Sequence, residues 1–208
     1  MNKNIVCLVG ESGAGKGAAV EILKEYAYVA YILGNEVRHH AQESGIIAPT
    51  RAELQMFANL VRREYGTDYY MSRILQKVVN QLTNRVVIDG VRNIGELNRL
   101  REIQGVNAEI NVVGIVADPN VRFSRVIQRR DNSDPLTYKE FLENDRREKG
   151  TEGDQFAQQN EECLRSADIL IENNNTLSEF RRNLETKLGL NELSSVEGQK
   201  YFYRKECI

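Results

Sequence analysis

At 208 residues, with 41% hydrophobic and 28% charged residues, the chain suits one α/β domain with a proper core and room for a small insertion. A formal net charge of −2 argues against a general polyanion or nucleic-acid binder, and no apolar segment approaches the roughly 20 residues that a membrane span needs. Cys7, Cys163 and Cys207 form neither a CxxC pair nor a metal-spaced cluster, and the short apolar run at 5–9 is no signal peptide, so a reducing cytoplasm is expected.

The first element is the apolar run 5–9, in which Cys7 reads as a buried, reduced core residue. Gly10-Glu11-Ser12-Gly13-Ala14-Gly15-Lys16 follows, a GxxxxGK (Walker A) run directly after a strand and directly before helical sequence. Its glycines let successive backbone N–H groups converge on phosphate oxygens, and the helix that follows adds its positive N-terminal end. Lys16 is placed to reach the β and γ phosphates of ATP as a point charge. The next positions depart from the usual pattern: where Ser or Thr would ligate Mg²⁺, this chain has Gly17 and Ala18.

A second strand is expected at 28–33, and the adjacent His39 and His40 read as surface residues pointing in different directions. Thr50-Arg51-Ala52-Glu53 is a capping box that opens a helix with Leu54, Phe57, Ala58, Leu60 and Val61 at helical spacing, ending near Gly66. A further helix is expected over 67–82, then a strand at 85–88. Asp89 ends that strand at its carboxyl end, where a parallel sheet faces its ligand crevice; it is the candidate to hold Mg²⁺, through water. After a strand at 110–116, Asp118-Pro119 marks an N-cap followed by proline. The polar run from Arg129 to Pro135 would suit a short lid, and capping boxes recur at Thr137 and Thr176 on either side of a last strand at 169–171. Asp145-Arg146-Arg147-Glu148 reads equally as a source of another lid arginine and as a solvated helix face.

Near-continuous apolar strands alternating with amphipathic stretches predict a three-layer α/β fold of the P-loop NTPase type, with a parallel five-stranded sheet, helices on both faces and a short lid. Three further segments make the chain resemble the nucleoside monophosphate kinases. Leu33-Gly34-Asn35-Glu36-Val37-Arg38 resembles their TGDxxR acceptor segment, with Leu33 for Thr and Asn35 for Asp. Ile88-Asp89-Gly90-Val91-Arg92 is similar to their IDGxPR segment without the proline, and Arg125-Val126-Ile127-Gln128-Arg129 to the RxxxR at the start of their lid. The whole pattern looks like the kinase-like P-loop proteins grouped with adenylate and dephospho-CoA kinases.

The resemblance implies a division into a P-loop kinase domain at 1–190 and a C-terminal extension at 191–208. Within the domain it implies an acceptor-binding helical region at about 34–82 and a lid at about 129–150. It implies Lys16, Arg92, Arg125 and Arg129 as catalytic residues, and Gly34, Asn35, Arg38 and Arg92 at the acceptor. ATP would lie on Gly10 to Ala18 with Arg125, Arg129 and Asn173, the last in the loop beside the adenine. The expected partners are ATP with Mg²⁺ and a small phosphorylated acceptor, in a monomer or homodimer. Dephospho-CoA kinase, a regulatory P-loop ATPase without an acceptor and an inactive nucleotide-binding scaffold stay open as alternatives.

Overall fold

The computed structural model describes residues 2–106, 108–129, 137–150 and 154–190. In chain order the elements are β1 (Lys3–Val9), α1 (Lys16–Glu25), β2 (Val29–Ile32), α2 (Leu33–Glu43), α3 (Arg51–Tyr65), α4 (Tyr69–Val79) and β3 (Arg85–Asp89). There follow α5 (Ile94–Arg101), β4 (Ala108–Val116), α6 (Pro119–Arg129), α7 (Tyr138–Lys149), α8 (Asn160–Arg165), β5 (Ile169–Glu172) and α9 (Leu177–Lys187). The five strands form one all-parallel sheet in the order β2-β3-β1-β4-β5.

The strand period of two explains the layers. Ile5, Cys7 and Val9 of β1 point into a core shared with apolar residues of α2, α3, α4, α5 and α8, whereas Val6 and Leu8 point into one shared with α1 and α9. All five β1 side chains from Ile5 to Val9 are fully buried, each large one stabilising the fold by about 1.5–3 kcal/mol. Cys7 and Cys163 are both free and buried in the first core. Burial pushes both thiols up, to about 12 for Cys163, so neither is a ready nucleophile.

Thr50 and Thr137 each form the expected capping box with Glu53 and Glu140, and the Thr176 hydroxyl accepts from the Glu179 N–H. Asn93 with Glu96 makes a further box at α5 that the sequence reading passed over. Several expectations change. The second strand is shorter than 28–33, because Leu33 turns inward as the first residue of α2. The helix expected over 67–82 spans Tyr69–Val79. Leu60, read with the inward set of α3, is 65% exposed. His40 is not a surface residue: it is half-buried, its ring 5.2 Å from Phe57 and 5.5 Å from Tyr69, while His39 is exposed beside Glu43. Residues 130–136 of the expected lid and the extension at 191–208 lie outside the described residues.

The register sets the site. Leu8 of β1 and Ile32 of β2 both pair with Asp89 of β3. The carboxyl ends of three strands therefore meet where β1 runs into the glycine-rich loop, beside the point at which the strand order switches from β3 to β4.

Candidate functional site

The loop after β1 is shaped by backbone that only glycine adopts readily. Gly10 has φ 144° and Gly15 φ 114°, and neither has room for a side chain. A Cβ at Gly10 would lie 2.3 Å from the Ile115 carbonyl oxygen, and one at Gly15 2.2 Å from the Asn173 amide nitrogen. Gly15 is the N-cap of α1 and no side chain caps that end, so the first turn of the helix keeps its N–H groups for a ligand.

Lys16 folds back over this loop and donates to the carbonyls of Gly10 (2.7 Å) and Glu11 (3.0 Å). Burial lowers its pKa to about 8, while Asp89 pulls in the opposite direction. Asp89 carries a polar atom that the described residues leave unanswered, as they do the Tyr31 hydroxyl and one Glu36 oxygen: its Oδ1 is buried with no hydrogen-bond partner among them. Buried carboxylate oxygens are almost always satisfied, so an orphan at a strand end beside a phosphate-type loop is a ligand-facing group. Among the described residues no three His, Cys, Asp or Glu side chains are grouped to hold a metal ion. A single orphan carboxylate nevertheless suits Mg²⁺, which keeps several waters and takes its other oxygens from phosphates.

Two residues brace the loop from outside. The Asn173 amide donates to the Ala14 carbonyl (2.8 Å), and its oxygen accepts from Arg125 (3.2 Å). Asn173, expected beside the adenine, is thus buried against the loop with both side-chain polar atoms engaged. The second brace was missed. Arg122 is 2% exposed, grips Asp145 of α7 with both terminal nitrogens (2.8 and 2.5 Å) and lies 3.3 Å from Glu11. It also donates to the Ser12 carbonyl (3.2 Å) and sits over the Phe141 ring. Arg122, Arg125 and Arg129 recur at helical spacing, so periodicity could have found the first from the other two.

This buried pair ties α6 to α7, so the helical part of the expected lid is anchored to the loop. Arg122→Ala should leave Asp145 buried and uncompensated, lowering unfolding stability by about 3–5 kcal/mol. A urea titration checks it; replacing Arg122 with Met and Asp145 with Leu together should recover most of the loss.

A cleft of about 1080 Å³ joins the loop to α2 and α3. Ser12, Gly13, Gly15, Lys16, Gly17, Gly34, Arg38, Asp89, Arg92, Arg125 and Arg129 of the expected site all line it. The others do not: Gly10 and Glu11 give their carbonyls to Lys16, Ala14 is buried, Ala18 packs into the core, and Asn35 is exposed and accepts from Arg38 (2.9 Å). Gly34 and Gly90 approach closely, which brings the start of α2 next to the end of β3. The sequence reading also missed Arg51 and Glu148, which line the same cleft and contact each other. Asp145 and Glu148, three apart on α7, both face inward, so the polar run there is not simply a solvated helix face. Among the described lining residues eight cationic side chains face three carboxylates, an imbalance that calls for anionic ligands. No described helix is long and apolar enough to cross a membrane.

Comparison with known proteins agrees with this architecture. The family model described as an AAA domain matches residues 6–163. A UPF0200 protein of Methanopyrus kandleri is 35% identical, over 85% of this chain and 85% of its own length. A UPF0200 protein of Pyrococcus horikoshii is 32% identical, over 87% of this chain and 94% of its own. In structure, a shikimate kinase from Bacteroides thetaiotaomicron superposes with a TM-score of 0.53 at 12% identity, covering 89% of this chain and 98% of that one, a likeness of fold. The chain belongs to the AAA-domain family and to the UPF0200 proteins.

Proposed function

We propose that this UPF0200 chain is an ATP-dependent phosphotransferase that moves the γ-phosphate of ATP onto a phosphate-bearing, nucleotide-like acceptor, as a nucleoside or deoxynucleoside monophosphate kinase does. The observation that carries the reading is the meeting of Lys16 and the orphan oxygen of Asp89 at one end of an arginine-lined cleft. Phosphoryl transfer asks little covalent chemistry of a protein; it asks for positive charge fixed around oxygens that share negative charge in the transition state.

The loop from Gly10 to Ala18 holds the phosphates of ATP through its N–H groups, with Lys16 swinging from its carbonyl contacts to their oxygens. Arg125, which reaches the Ala14 carbonyl at 3.5 Å, and Arg129 line the same cleft and neutralise charge there, and Asn173 keeps the loop and Arg125 in register. Gly34 and Arg38 at the start of α2 receive the acceptor together with Arg92, and Asn35 holds Arg38 in place from outside the cleft. Asp89 would hold, through water, the Mg²⁺ that comes with ATP, and that ion would supply positive charge to the phosphate oxygens. In this reading residues 34–82 form the acceptor region, 129–150 the lid, and the protein works in the cytoplasm.

The test is a coupled assay with Mg²⁺, ATP and a panel of ribo- and deoxynucleoside monophosphates together with dephospho-CoA. Phosphorylation of one nucleotide class, dependent on both ATP and Mg²⁺, is expected. ATP hydrolysis with no acceptor phosphorylated would make the chain an ATPase instead, and transfer to dephospho-CoA alone would replace the acceptor.

A further inference from the structure

Along the cleft, within electrostatic reach of Lys16, one carboxylate holds two arginines that come from different parts of the chain. Glu148 of α7 contacts Arg51 of α3 through Oε1 and Arg92, just after β3, through Oε2 at 3.2 Å. Its Oε2 also accepts from the Asn160 amide at 3.4 Å. Glu148 is 5% exposed, whereas both arginine side chains keep nearly a third of their surface open and all three residues line the cleft. Despite its burial the carboxyl is held below its ordinary pKa by Arg92, Arg51 and Lys16, so it stays ionised at neutral pH.

A second buried acid that lines this cleft behaves differently. Glu96 is fully buried and spends its oxygens on Arg62 and on the N–H groups of Arg92 and Asn93. Arg62 is likewise nearly buried, at 4%, so that pair is a fixture of the core. The Arg51–Glu148–Arg92 bridge instead keeps both arginine side chains partly open, and its carboxylate offers two oxygens with the same sign of charge with which a phosphate monoester also bridges two arginines.

Building on the phosphotransferase reading, we infer that Arg51 and Arg92 form a phosphate subsite for the acceptor, and that Glu148 occupies it as an internal anion which the acceptor's phosphate displaces. Arg51 thereby joins the acceptor site although it lies in none of the segments that point to one. The ligand is a dianionic phosphate monoester, which carries more charge than the carboxylate it replaces and can engage both guanidinium groups. Because Glu148 sits on α7, its release also frees one of the tethers between that helix and the acceptor side.

The probe is inorganic phosphate, titrated by calorimetry into protein first saturated with ADP and Mg²⁺ so that the loop is filled. Failure of ADP to bind would undo the nucleotide-site reading itself, independently of this subsite. With ADP bound, Arg51→Ala should weaken phosphate binding at least roughly tenfold, the loss of one charge-assisted contact. Glu148→Gln should tighten it by about the same factor, because phosphate no longer competes with a charged occupant. Glu148→Asp keeps the charge but shortens the reach, and should fall between Gln and the parent; it also serves if the Gln variant does not fold. Weaker phosphate binding in either Glu148 variant would make Glu148 a scaffold that aligns the arginines, and unchanged binding in the Glu148 variants or in Arg51→Ala would remove the subsite; both results overturn the proposal.

Discussion

Lys16→Ala should lower phosphoryl transfer by about 10²–10³-fold while leaving the fold intact. The magnitude is that of removing one preorganised donor aimed at developing negative charge. The fold should tolerate the change because among the described residues the Lys16 ammonium donates to two loop carbonyls, at 2.7 and 3.0 Å, and to no side chain. Bonds from a charged donor contribute about 1.5–3 kcal/mol each, but losing Lys16 also removes the cost of burying its ammonium, so the net change in stability is small. The same residue should impose a pH dependence on ATP affinity. In the ligand-free site burial brings its pKa down to about 8, and bound phosphates must raise it. Affinity is therefore complete below pH 8 and falls roughly tenfold per unit above it, until the raised pKa of the complex is reached. Titrating ATP at pH 7, 8 and 9 reads this directly. A flat profile in the parent, or the same slope retained in Lys16→Ala, would place the ammonium away from the phosphates.

The sheet was legible because its signal is local. Five near-continuous apolar runs, each bounded by turn residues, are enough to mark buried parallel strands, and all five are present with ends shifted by one or two residues. The glycine loop was legible for the same reason, since a fixed spacing of residues dictates one backbone shape. The parts that were not legible depend on distant pairing. Whether an arginine reaches a ligand or an internal carboxylate is set by partners such as Arg122 with Asp145, 23 positions apart, and Arg51 with Glu148, 97 apart. Nothing in either neighbourhood announces the other. Asn173, expected at the nucleotide, also holds the loop and Arg125 with its amide, a further role visible only once β5 is placed beside β4. Where one helix carried the whole signal, as with Arg122, Arg125 and Arg129, the spacing was sufficient and simply not followed through.

Asp89→Asn should reduce turnover by about 10–100-fold and raise the Mg²⁺ concentration that half-maximal activity requires, without weakening metal-free ATP binding. The scale is that of losing an outer-shell ligand to a metal. The reasoning starts from the absence of a hydroxyl at Gly17 and Ala18, which leaves the carboxylate at the end of β3 as the protein's own contribution to the metal. Its buried Oδ1 has no partner among the described residues, so an amide nitrogen there costs no hydrogen bond seen to that atom and the effect should fall on the metal rather than on the fold. A complementary substitution sharpens the assignment. A Cβ at Gly17 would meet nothing within 4 Å, and the residue sits in the first turn of α1 without a positive φ. Gly17→Ser can thus be built without strain, gains a few tenths of a kcal/mol in helix propensity, and puts a hydroxyl where other P-loops keep one. It should lower the Mg²⁺ requirement, and in the Asp89→Asn background should restore part of what was lost. Ser12, four residues ahead of Lys16, lines the cleft over the loop and gives its carbonyl to Arg122, so Ser12→Ala should leave the requirement unchanged. Activity measured against Mg²⁺ for the variants separates the cases. A large shift for Ser12→Ala with none for Asp89→Asn would move the metal to the loop hydroxyl and leave the orphan oxygen of Asp89 without this role.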